Sequence, residues 1–177
     1  MQSVKLIALD VDGTLTDGSL LYGESGEQNK RFHAADGLGI VMAQVVGLRF
    51  AIISGRENAG VRKRMAELHV ADVIEKCGDK AAALRDIQAK YGLRTEEIAF
   101  VGDDLNDLPA FSVVGVKIAV ANAAAQLRNQ ADYVTPRAGG YGGVRDAIEE
   151  ILRHQGRLDE AVQAYLTLSA LKDDARQ

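Results

Sequence analysis

Two aspartates spaced two apart open the run Asp10-Val11-Asp12-Gly13-Thr14. A carboxylate can attack phosphorus and form an aspartyl-phosphate, which splits one hard displacement into two easier ones. A second carboxyl nearby can protonate the leaving alcohol, then take a proton from the hydrolytic water. Gly13 lets the backbone turn sharply, and the Thr14 hydroxyl can brace the nucleophile or its loop. Two aspartates and a dianionic phosphate repel one another strongly in a partly desolvated pocket, so the chemistry demands a cation. Asp103, with Asp104 and Asp107 behind it, adds hard oxygen ligands that suit Mg2+ beside phosphate. Lys80 and the Ser54 hydroxyl complete the positive side, where they can hold phosphoryl oxygens as negative charge spreads over them.

Each of these features has a bland counterpart. An isolated Asp-x-Asp-Gly is often a polar turn, Ser54-Gly55-Arg56 a loop, Lys80 a solvated helix start and Gly102-Asp103-Asp104 a helix cap. Their joint occurrence, each directly after a strand-like or turn segment, favours the catalytic reading.

The elements that must deliver them are legible from hydrophobic runs and punctuation. Residues 4–9, 50–53, 72–75, 98–101, 116–120 and 132–134 read as strands. Residues 36–46, 58–68, 80–91, 144–154 and 158–171 read as helices, with Asp36 capping the first and Gly47 and Gly92 stopping the first and third. Residues 20–22 and 30–32 flank a glycine-bearing loop at 23–27 and read as a β-hairpin. Alternating strands and helices imply right-handed crossovers and a mostly parallel sheet covered on both faces. In such sheets the site lies outside the carboxyl ends of the strands, where Asp10, Ser54 and Asp103 all fall.

Composition bounds the remainder. The 177 residues suit one compact domain spanning 1–177. The 21 basic and 25 acidic residues give a net charge of −4, which carries no footprint for nucleic acid or an anionic membrane. No run approaches the ~18 apolar residues of a membrane span, and the N-terminus lacks a secretory pattern. A lone Cys77 forms no internal disulfide and has no base beside it in sequence, so a cytoplasmic setting is expected.

On Asp10-Val-Asp-Gly-Thr, Ser54, Lys80 and Gly102-Asp-Asp-Leu-Asn-Asp107, the chain resembles the haloacid-dehalogenase-like superfamily. That resemblance implies Asp10 as nucleophile, Asp12 as general acid/base, and Mg2+ held by Asp10, the Asp12 backbone carbonyl and Asp103. Too few residues separate Asp12 from Ser54, or Lys80 from Asp103, for a cap domain, so the chain looks like the capless subclass. The expected fold is α/β, a three-layer Rossmann-like mostly parallel sheet with a hairpin flap at 17–32, no cap domain and a helical tail at 157–177.

Further segments resemble one capless branch: Leu15-Thr16-Asp17-Gly18, residues 32–39, Ala131-Asp-Tyr-Val-Thr135, Ala138-Gly-Gly-Tyr-Gly142 and Gln155-Gly-Arg-Leu-Asp-Glu-Ala161. The resemblance implies a phosphomonoester hydrolase acting on a small anionic sugar-acid phosphate, 3-deoxy-D-manno-octulosonate 8-phosphate, and working as a homotetramer. It implies substrate contacts at Asp12, His33, Ala34, Ala35, Asp36, Gly37, Arg56, Arg64, Lys80 and Asn106. Guanidinium forks at Arg56 and Arg64 suit a sugar-acid carboxylate, although Arg64 is equally readable as part of a solvated helix face. The chain departs from the branch at Val41, where the pattern carries a substrate-contacting arginine. Two alternatives stay open: the nine-carbon substrate 2-keto-3-deoxynononate 9-phosphate, which Arg56 disfavours, and a non-catalytic oligomerisation module related to sugar-nucleotide synthetase domains. The glycines at 138–143 read either as a flexible loop or as part of a C-terminal segment reaching a neighbouring subunit. On the second view, removing everything after Tyr141 changes turnover more than folding.

Overall fold

Four consecutive apolar residues make the first strand, β1 (Leu6–Leu9), and all four are buried, as a strand covered on both faces requires. The computed structural model describes residues 1–23 and 28–174. After β1 the chain makes a wide turn over Val11–Leu15, closed by the Thr16 N–H donating to the Val11 carbonyl at 2.9 Å. A two-stranded antiparallel hairpin follows, β2 (Leu21–Tyr22) and β3 (Gln28–Asn29). The loop expected at 23–27 falls, for residues 24–27, outside the described residues. The second arm lies at 28–29 and not at the expected 30–32, where Lys30 and Arg31 pair through their side chains with Asp12 and Asp17.

The remaining strands are β4 (Arg49–Ile53), β5 (Asp72–Ile74), β6 (Ile98–Gly102), β7 (Val116–Ala119) and β8 (Tyr133–Val134). They join β1 in one six-stranded sheet of order β5-β4-β1-β6-β7-β8, with every described pairing parallel. The chain runs outward from β1 to β4 and β5, then returns to the other side of β1. The order therefore reverses between β1 and β6, and in open α/β sheets that reversal opens a crevice for ligand. Register fixes which ends meet there: Leu9 pairs with Ile52 on one side and Val101 on the other.

The helices are α1 (Ala34–Val45), α2 (Ala59–Glu67), α3 (Lys80–Tyr91), the short α4 (Leu108–Phe111) and α5 (Ala125–Arg128), α6 (Gly143–His154) and α7 (Leu158–Asp174). Right-handed crossovers put α1 and α2 on one face and α3 and α4 on the other. The packing agrees, with α1 against α6 and α7, and α3 against α4. Asn58 and Asp79 cap α2 and α3 through their side chains, and Gly92 ends α3 in the left-handed region at φ 61°. Among the described residues, the hairpin and α1 are the only elements between the 11–15 turn and β4, and no cap domain stands there.

Two expectations are corrected. Asp36 does not cap its own helix: α1 starts two residues earlier, with His33 at the cap position, and Asp36 lies buried in the first turn. Its Oδ1 instead accepts the Arg145 N–H at 2.8 Å, so it caps α6 from 109 residues away. Nor is the chain after Tyr141 dispensable for folding. Along α6, Val144, Ala147, Ile148, Ile151 and Leu152 recur at helical spacing and are wholly buried. Losing large apolar side chains from a core typically costs ~2–5 kcal/mol each. A cut at Tyr141 is therefore expected to unfold the protein before it tests any tail.

Candidate active site

The switch point of the sheet collects the acidic residues. Asp10 follows β1 directly, with its N–H donating to the Val101 carbonyl of β6 at 3.0 Å. Asp103 follows β6. Gly13 has φ 99°, and a Cβ there would stand 2.1 Å from Asp103 Oδ2, so only glycine lets the two loops close on each other. The Thr14 hydroxyl then donates to Asp103 Oδ1 at 3.0 Å.

Asp10, Asp103 and Asp107 each bring a carboxylate oxygen within 4.8 Å of the others. Lys80, on the first turn of α3, is 3 % exposed and donates to Asp10 Oδ1 and Asp107 Oδ1, each at 2.5 Å. Asp107 is wholly buried, and its other oxygen accepts the N–H groups of Asp103 at 2.9 Å and Asp104 at 3.2 Å. It is the keystone of this corner: it anchors the lysine and shapes the loop that presents Asp103. Asp104 behaves differently, capping the 105–107 turn through Leu105 N–H from an exposed position.

Crowded charge shifts these groups. Burial pushes the Asp10 carboxyl up, the charge of Asp107 adds to it and Lys80 opposes it, leaving it at about 6. Burial, then Asp10 and Asp107, push Asp103 up to about 8. Burial works against the Lys80 ammonium, but Asp10 and Asp107 outweigh it and hold the lysine above its ordinary value. One lysine does not balance three carboxylates. The excess negative charge on hard oxygens, converging in one crevice, fits a divalent cation.

Asp12 faces a different set. Its Oδ1 accepts a hydrogen bond from Lys30, and its Oδ2 lies 3.8 Å from Arg56 Nε. Ser54 follows β4 and is 3 % exposed, and its hydroxyl accepts the Arg56 N–H at 3.2 Å. Thus Asp10, Asp103 and Lys80 come together, with Asp12, Arg56 and Ser54 on the adjoining strand ends and Asn106 exposed on the 105–107 turn.

The segment from His33 to Gly37 opens α1, with Ala34 exposed and Ala35 partly buried. Arg64 is partly exposed. It pairs with Glu67 at 3.2 Å and lies over Gly37, where an added Cβ would be 2.1 Å from its Nη2. That joins two of the expected substrate segments to each other. Val41 is partly buried against the core, which an arginine there could not match without its charge reaching solvent.

The glycine-rich segment departs from a flexible loop. Gly139, Gly140, Gly142 and Gly143 are buried. A Cβ at Gly139 would be 1.8 Å from the Gly13 carbonyl oxygen, and the Gly140 N–H donates to the Thr14 carbonyl at 3.1 Å. The segment is a backing plate for the 13–17 loop, and Asn122 Oδ1 holds it through the Gly139 N–H at 2.8 Å. Lys30 and Asn122 carry no motif of their own. The clustering of small residues at 139–143 was the one signal for close backbone approach.

Comparison with known proteins agrees with this geometry. Residues 68–148 match the model of the haloacid dehalogenase-like hydrolases. The 3-deoxy-D-manno-octulosonate 8-phosphate phosphatase of Salmonella typhi is 41% identical over 160 residues, 90% of this chain and 85% of that protein. The enzyme of the same name from Haemophilus influenzae is 38% identical over 89% of this chain and 87% of its own. The crystal structure of that phosphatase from Moraxella catarrhalis, in complex with magnesium ion, phosphate ion and the KDO molecule, superposes with a TM-score of 0.89 at 38% identity, covering 93% of this chain and 94% of that one. Carboxylates at the switch point, a buried lysine between them and relatives of this likeness lead to one assignment: the chain belongs to the haloacid dehalogenase-like hydrolases, and it is a phosphatase.

Proposed function

We propose that this phosphatase is a Mg2+-dependent phosphomonoester hydrolase that acts on a sugar-acid phosphate, 3-deoxy-D-manno-octulosonate 8-phosphate, through an aspartyl-phosphate on Asp10. What carries the reading is Lys80 bridging Asp10 and Asp107 beside Asp103 at the sheet's switch point. The relatives that act on this sugar phosphate and cover nine-tenths of the chain support the substrate.

The Asp10 carboxylate attacks phosphorus, and the ester P–O bond breaks as the leaving oxygen takes a proton from Asp12. Water then attacks the phosphorus of the aspartyl-phosphate, giving its proton to Asp12, and inorganic phosphate leaves with Asp10 restored. Ser54 and Lys80 hold phosphoryl oxygens through both steps. The side chains of Asp10 and Asp103 and the backbone carbonyl of Asp12 would hold the Mg2+, which when bound offsets the crowded charge and polarises the phosphoryl group. Arg56, half exposed beside Asp12, is placed to take the sugar-acid carboxylate. His33, Ala34, Ala35, Asp36, Gly37, Arg64 and Asn106 frame the sugar, with Asp36 acting through the backbone it holds.

The chain is then one capless domain at work in the cytoplasm, and neighbouring subunits of a homotetramer cover its open site. The test is phosphate release from the eight-carbon and nine-carbon sugar-acid phosphates with Mg2+. Faster turnover of the eight-carbon ester, lost in Asp10→Asn, is the expected result. Full activity in Asp10→Asn overturns the nucleophile, and preference for the nine-carbon ester overturns the substrate.

A further inference from the structure

Just past β3, two consecutive cations part company. Arg31 turns outward to Asp17 Oδ2 at 2.5 Å and the Tyr141 hydroxyl at 2.6 Å. Lys30 turns inward. Its side chain is 1 % exposed, and its ammonium hydrogen-bonds Asp12 Oδ1. Burying an ammonium costs far more than a surface ion pair returns, so the contact persists only where its partner is well placed. The expected chemistry made no use of Lys30.

We infer that Lys30 is a positioning residue for Asp12, an inference that rests on the acid/base role proposed for that aspartate. With Oδ1 held by Lys30, Oδ2 is the oxygen left to exchange a proton with the leaving alcohol and the water. The hairpin thereby acquires a task beyond any contact with substrate. Seating it on the 12–17 loop through Lys30 and Arg31 aims the proton-transfer carboxylate.

The readout is leaving-group dependence. An alkyl phosphate such as 3-deoxy-D-manno-octulosonate 8-phosphate needs its leaving oxygen protonated, whereas p-nitrophenyl phosphate releases a stable phenolate unaided. General acid/base catalysis is worth ~10²–10⁴-fold, so Lys30→Met is expected to lose about tenfold or more in kcat on the alkyl ester and no more than about threefold on the aryl ester. Equal losses on both esters overturn the inference. Asp12→Asn is measured beside it. A leaving-group-independent loss in Asp12→Asn overturns the role of Asp12 itself. A selective loss there with an even loss in Lys30→Met overturns the role of Lys30 alone. Should the thermal melt show Lys30→Met unfolded, Lys30→Arg, which keeps the cation and shifts it, gives the same ratio: a selective loss supports positioning and an even loss refutes it.

Discussion

Adding one methyl group at Gly139 strikes the active site from behind. The new Cβ would lie 1.8 Å from the Gly13 carbonyl oxygen and 2.9 Å from that of Thr14. Carbon and oxygen rarely approach within about 3.3 Å, so the two loops must separate by roughly 1.5 Å. The glycine loop cannot simply retreat, because Asn122 holds Gly139 at 2.8 Å and Gly140 is bonded to Thr14 at 3.1 Å. Overpacking of this kind costs ~1–3 kcal/mol, and at this chain length each kcal/mol lowers the melting temperature by about 2–4 °C. Gly139→Ala is therefore expected to melt roughly 2–12 °C early. Turnover suffers more, because the displaced turn carries Asp12 to Thr14, and a misplacement of about 1 Å at reacting groups costs ~10²-fold. The assay pairs thermal melts with kcat on a sugar phosphate, and Gly78→Ala is the control, since a Cβ there meets nothing within 4 Å. Wild-type kcat and an unshifted melt in Gly139→Ala would refute the backing-plate role of the glycine segment.

Chelation with EDTA is expected to abolish phosphate release, with Mg2+ restoring it; undiminished turnover after exhaustive chelation contradicts the metal role of Asp10 and Asp103. Asp36→Ala removes the acceptor for the Arg145 N–H and is expected to cost ~0.5–2 kcal/mol, read from urea unfolding midpoints. Hydrogen bonds from Lys5 and from the Arg94 backbone and side chain hold the Glu97 carboxyl down at about 2, below its ordinary 4.5. A depressed acid stabilises the fold fully above its unfolded value and loses that contribution as pH falls through the folded one. The gap in urea midpoint between the wild type and Glu97→Gln should be widest near neutrality and close between pH 4.5 and about 2; a gap that does not change with pH counts against the Lys5 and Arg94 contacts.

Asp10, Ser54 and Asp103 were legible because each ends an apolar run, and a parallel sheet brings such ends to one edge whatever the loops do. Lys80 was legible as the cation that order of motifs requires. Asp107 was only a reserve ligand in the sequence, yet it anchors both Lys80 and the Asp103 loop, because burial turns a spare carboxylate into a structural one. Asp36 shows the opposite failure. A local rule made it a cap for the nearest helix, whereas the donors it satisfies belong to α6, far along the chain. Lys30 was hidden for the same reason: in a hairpin arm a lysine reads as solvated, and only the fold of the 12–17 loop beneath it supplies the partner. Long-range pairing of buried polar groups leaves no periodic trace.

The strand made first is the middle of the sheet. One edge of β1 pairs with β4 and the other with β6, where Leu6 meets Ile98. A ribosome adds about 5–20 residues per second, so the second edge of β1 stays unpaired for roughly 5–20 s after synthesis. During that interval Leu6, Ile7 and Leu9 have no permanent neighbour on that side. A nascent chain halted between β4 and β6 is a half-sheet with its catalytic aspartate at the open seam. Such a chain is a natural client for chaperones that grip short apolar strands, and slowing translation across residues 54–97 should raise aggregation before it lowers the activity of finished enzyme.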